Sequence, residues 1–66
     1  MSMEKYVGLT VDIIYVDRKG RFTQRRITVH SVRGDRIRAY DHTRKALRVF
    51  RAEGILAREP VNGHAS

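Results

Sequence analysis

At 66 residues the chain has room for one hydrophobic core at most, and without cysteine it has neither disulfides nor Cys-pair zinc patterns to staple a smaller one. No apolar run approaches the roughly 18 residues of a membrane span, and the opening Met-Ser-Met-Glu-Lys-Tyr-Val lacks the layout of a secretory signal, so a cytoplasmic protein without a membrane partner is expected. Fourteen Lys and Arg against seven Asp and Glu leave a net charge of +7, more than solubility requires and suited to an anionic partner.

Residues 1–6 read as a short helical or irregular lead-in. Leu9 to Val16 alternates, with Leu9, Val11, Ile13 and Tyr15 on one face and Thr10 and Asp12 on the other, the period of a half-buried strand. Asp17-Arg-Lys-Gly20 is a turn, since Asp bonds its own downstream backbone and Gly accepts positive φ. Arg21 to Val32 alternates again, with Arg25, Ile27 and Val29 on one side and Phe22, Gln24, Arg26, Thr28 and His30 on the other.

Arg33-Gly34-Asp35 is the next turn, and Arg36 to Tyr40 places Ile37 and Ala39 inward and Arg36, Arg38 and Tyr40 outward. Asp41 to Lys45 connects to a strand from Ala46 to Arg51, with Leu47 and Val49 on one side and Ala46, Arg48 and Phe50 on the other. Ala52 to Arg58 reads as one helical turn leading into a last short strand that Pro60 ends. These four or five strands, in a chain too short for crossover helices, predict a mainly β fold: a small antiparallel barrel of about five strands, one domain over residues 1–60 with a disordered tail at 61–66.

The charge is concentrated between residues 18 and 51, where twelve cations face only Asp35 and Asp41. Eleven of the fourteen cations in the chain are Arg, whose planar fork of donors suits phosphate and stacks on bases. Covalent chemistry finds little support. There is no cysteine, Ser2, Ser31 and Ser66 lack the context of an activated nucleophile, and His30, His42 and His64 lack metal-ligand spacing. Asp17, Asp35 and Asp41 fall in turns, and no glycine-rich phosphate loop precedes a helix. The expectation is a protein that is not an enzyme and carries no cofactor or metal.

The pattern Tyr15-x-Asp17-x-Lys19-Gly20-x-x-Thr23-x-Arg25-x-Ile27, followed by Ile37-x-Ala39-Tyr40 and Arg48-x-Phe50-Arg51 with Ile55, resembles the WYL domain of bacterial regulators over roughly residues 9–56. The namesake Trp-Tyr-Leu trio falls on Asp35, Arg36 and Ile37, so only its aliphatic member is kept, and Gly54 stands where an arginine is usual. The resemblance implies an SH3-like, Sm-related β-barrel that senses nucleic acids or nucleotide-like ligands in transcription regulation, here as a free-standing module. By position it implies Arg25, Tyr40, Arg48 and Arg51 as polar residues of the binding surface, with Tyr15 and Phe50 at positions that serve structure.

Together these readings give a regulatory or accessory module that binds single-stranded RNA or DNA, or a nucleotide-like anion, through Arg25, Arg36, Arg38, Tyr40, Arg48 and Arg51. Cations would track phosphates and Tyr40 would stack on bases. For Arg25, a structural ion pair with Asp12 or Asp17 stands beside the binding role. The alternative function is a protein-interaction module that forms homo-oligomers or docks on an acidic partner, using the same arginines.

Overall fold

The computed structural model describes residues 3–61. Five strands, β1 (Thr10–Val16), β2 (Phe22–Arg33), β3 (Arg36–Asp41), β4 (Ala46–Arg51) and β5 (Ile55–Pro60), form one sheet in the order β4-β3-β2-β1-β5. Every neighbouring pair is antiparallel. Short 3₁₀ turns lie at Glu4–Tyr6 and at Ala52–Gly54, the second joining β4 to β5. The residues expected in the tail lie outside the described residues except Val61, whose N–H donates to the Thr10 carbonyl at 2.9 Å.

The turns form for local reasons. One Asp17 carboxylate oxygen accepts the backbone N–H groups of Lys19 at 2.8 Å and Arg21 at 2.9 Å, and Gly20 takes a φ of 80°, which closes the β1–β2 hairpin. Asp41 does the same for the β3–β4 turn, accepting from the N–H groups of Thr43 at 2.9 Å and Arg44 at 3.1 Å. Alternation then puts Val11, Ile13, Tyr15, Ile27, Val29, Ile37, Ala39 and Phe50 on one face, where with Met3 and Ile55 they form the core. Leu9, expected inward, precedes β1 and is exposed: its carbonyl accepts the Val29 N–H at 3.0 Å, but its own N–H donates to the Tyr6 carbonyl in the preceding turn.

Two bulges shift the alternation. Val29 pairs with Ala39 and Ser31 with Arg38, so His30 is the extra residue of β2, and beyond it Val32 rather than an odd-numbered neighbour faces Ile37. Leu56 is the extra residue of β5, between the pairs Tyr15–Ile55 and Ile14–Ala57. The start of β5 is set by Gly54, where a Cβ would stand 2.7 Å from Tyr15 Cε1 and 2.8 Å from the Val16 carbonyl oxygen. Only glycine fits there.

The expected barrel is not what the chain forms. The sheet is open: β4 and β5 stand at its two ends, and no ladder joins them among the described residues. A barrel requires its first and last strands to pair. Here the three-residue turn carries the chain from the β4 edge to the far side of β1, so β5 ladders with β1 alone.

A candidate anion-binding cleft

A cleft of about 490 Å³ opens between the tip of the β1–β2 hairpin and strand β4. Tyr15, Arg25 and Phe50 make its floor; Asp17, Arg18, Lys19 and Arg21 of the hairpin form one wall, and Arg48, Val49 and Arg51 of β4 the other. Arg36 at the start of β3 and Arg44 of the β3–β4 turn complete the rim. Eight cations thus converge on a space that a single carboxylate, Asp17, also lines.

The floor is rigid. Arg25 pairs with Ile13 across the ladder and shares the inward face with Ile27 and Val29, which leaves it only 7% exposed. Its Nη1 donates to Asp41 Oδ2 at 2.8 Å and its Nε to Thr23 Oγ1 at 3.0 Å. The guanidinium carbon lies 5.9 Å from the Tyr15 ring centroid and 5.6 Å from that of Phe50, cation–π distances. The two rings meet edge to face at 5.0 Å. Asp41 pairs with Ile27 in the ladder, one inward position from Arg25, so the pair is a diagonal contact within one face.

No buried side-chain nitrogen or oxygen among the described residues lacks a partner, so Arg25 Nη2, which neither contact uses, keeps some exposed surface, and Arg25 lines the cleft. The partner of Arg25 is therefore neither of the acids expected. Asp12 lies on the outward face opposite Arg26 and accepts from its Nε at 2.9 Å and Nη2 at 3.2 Å, a bond that holds the Asp12 carboxyl below its usual range. Asp17 is committed to its own turn, and the backbone N–H of Arg21, then that of Lys19, lower its carboxyl likewise.

The other cations of the cleft differ in their attachments. Arg21 lies 3.7 Å from Asp17, and Arg36 3.9 Å from Asp35. Arg51 Nη1 donates to Glu53 at 2.7 Å, while the Arg51 backbone N–H donates to the Tyr15 hydroxyl at 3.2 Å. Arg18, Lys19, Arg44 and Arg48 have no ion pair among the described residues. Arg48 is exposed and stands opposite Ala39, on the face of β4 that carries Phe50 inward.

Of the residues expected to bind, the fold brings Arg25, Arg36, Arg48 and Arg51 to this cleft and sends Arg38 and Tyr40 elsewhere. Arg38 is exposed between Ser31 and Val49. Tyr40 is half-buried on the outward face, its ring edge-on to His42 at 4.8 Å. His42 Nε2 in turn bonds Thr28 Oγ1 at 2.7 Å, and Thr28 bonds Thr10 Oγ1 at 2.8 Å, so this histidine belongs to a polar outer-face network. His64 lies outside the described residues, and among those described no group of His, Asp and Glu could hold a metal ion.

Arg18, Lys19, Arg21 and Arg44 escaped the sequence reading as site residues. Their one signal was position in turns, which says nothing about what the turns face. No helix among the described residues is long and apolar enough to cross a membrane. No protein-family model, no curated protein and no solved structure matches the chain. The resemblance to WYL domains is accordingly set aside: short motifs shared in order do not make a family match, and the closed barrel that the resemblance implied is absent.

Proposed function

We propose that this protein binds the phosphate groups of single-stranded nucleic acid in the cleft between the β1–β2 hairpin and β4, without covalent chemistry, in the cytoplasm. One observation carries the reading: eight cations surround about 490 Å³ with one carboxylate among them, and four of the eight have no ion pair among the described residues. Like charges held together in a cleft repel one another, and an entering polyanion relieves that repulsion while it releases its own counterions.

The aromatic contribution is smaller than expected for single-strand binders. Tyr15 and Phe50 are buried at 8% and 2% exposure and Tyr40 lies on another face, so recognition rests on phosphates rather than on base stacking. A titration of a fluorescent single strand at two salt concentrations tests this. Engaging three phosphates would give a slope of log affinity on log salt of about −2. Absence of binding at low salt would defeat the proposal.

A second reading has its own observation. β4 is an edge strand whose Leu47 and Val49 are 61% and 54% exposed, a surface suited to pairing with another chain. Under that reading the mass in solution exceeds that of one chain without nucleic acid present, and Val49→Lys restores the monomer.

A further inference from the structure

Resting on the cleft reading, we infer that the floor of the cleft receives a terminal phosphate monoester, the end of a strand or a free nucleotide, rather than a phosphodiester within a chain. The receptor is Arg25. Its Nε and Nη1 are fixed by Thr23 and Asp41, and Nη2, which neither bond uses, is the nitrogen left for a ligand of the cleft, on a side chain only 8% exposed. A guanidinium held this way by buried partners needs no reordering when an anion arrives.

What lies around Arg25 decides the form of the ligand. Below it are the Tyr15 and Phe50 rings in edge-to-face contact at 5.0 Å, and behind it is Asp41 with no exposed surface. A backbone phosphate carries chain on both sides and meets a recessed donor only at its flank, and the Arg25 side chain is only 8% exposed. A terminal phosphate, with chain on one side only, reaches further down. It also carries a charge of about −1.5 to −2 at neutral pH, more than the single charge of a diester, so it gains more from a cationic site. Arg48, which has no ion pair among the described residues and shares the Phe50 side of β4, lines the same cleft and serves as the second donor. The cleft volume of about 490 Å³ falls within the range of roughly 300–1,000 Å³ typical of small-ligand sites. The hairpin wall with Arg18 and Lys19 is left to hold the next phosphates of a strand.

The test compares one short single strand in three forms, phosphorylated at the first nucleotide, phosphorylated at the last, and hydroxyl at both ends, with a nucleoside monophosphate as competitor. Expected is at least about tenfold tighter binding of one or both phosphorylated forms at physiological salt, the size of one added charge-assisted contact. Arg48→Ala is expected to reduce that preference while retaining the folded circular dichroism spectrum. Arg25→Lys, which keeps the charge but lacks Nη2, is expected to abolish it. Should Arg25→Lys fail to fold, Arg48→Ala still decides.

Competition by the mononucleotide at matching strength identifies a free nucleotide as the source; competition only by the phosphorylated strand identifies a strand end. Equal affinity for all three strands overturns this inference and leaves the cleft reading standing. Binding to none of them overturns both.

Discussion

Arg25 Nη1 lies 2.8 Å from Asp41 Oδ2, and with side chains 8% and 0% exposed they form the interior ion pair of the sheet, while the other pairs of the described residues lie at the surface. Asp41 also closes the β3–β4 turn through two backbone N–H groups. One carboxylate thereby ties the floor of the cleft to the loop that carries Arg44.

Asp41→Asn leaves the Arg25 charge buried without its counterion, and a cost of about 3 kcal/mol is expected in urea unfolding. A domain of this size has little more than that to lose. Asp12→Asn breaks an exposed pair with Arg26 and is expected to change stability by no more than about 0.5 kcal/mol. Equal costs for the two would remove the special standing of the Arg25–Asp41 pair.

Gly54→Ala sets a methyl group against the Tyr15 ring and the Val16 carbonyl, at 2.7 and 2.8 Å. The β4–β5 turn must shift or Tyr15 must move, at a cost of about 2 kcal/mol. Because Tyr15 is part of the floor, phosphate binding should weaken in the same variant. A thermal melt unchanged from that of the parent would show that the turn tolerates a side chain.

Arg48→Ala and Arg38→Ala remove one arginine each from β4 and β3, and only the first lines the cleft. Arg48→Ala is expected to lower single-strand affinity about fivefold or more at low salt and to reduce the salt slope by about 0.7, the contribution of one phosphate. Arg38→Ala is expected to stay within about twofold of the parent, since its charge acts only through screened distance. The reverse order would move the site to the Arg38 and Tyr40 face.

The hairpin N–H groups and cations hold the Asp17 carboxyl below its ordinary value of 3.8 in the folded protein. A depressed folded value means that the folded state favours the carboxylate, so its contribution is complete above 3.8 and is lost as the pH falls through the lower folded value. The Asp12 carboxyl, lowered by Arg26, acts with the same sign. Urea midpoints should therefore be level above the carboxylate range and fall below it, and Asp17→Asn should flatten the decline. A midpoint that rises on acidification would contradict this assignment.

Much of the chain was legible in its residues. Alternation grouped Val11, Ile13 and Tyr15 on one face of their strand and Ile27 and Val29 on one face of theirs, and set Ile37 and Ala39 inward, because a strand turns each side chain to the opposite face from its neighbour; that these groups meet in one core came from strand pairing. Asp17 and Gly20 marked the first hairpin by local bonding that needs no tertiary partner. The bulges at His30 and Leu56 were not legible, since each depends on pairing with another strand. The site is legible in part: Arg25, Arg36, Arg48 and Arg51 stand out as candidates and line the cleft, whereas Arg38 and Tyr40 share an outward face with Arg36 in the alternation yet lie elsewhere, and the hairpin cations carry no signal beyond their place in a turn.

By itself, then, the sequence determined the strands, which residues share a face on each, and the excess of arginine, all of which follow from short-range periodicity and composition. Only the tertiary structure decided that the sheet stays open, that Asp41 rather than Asp12 or Asp17 holds Arg25, and that the hairpin folds toward β4 to gather eight cations. These are contacts between residues distant along the chain, and they are set by how strands register and how far the sheet curls, which no local pattern encodes.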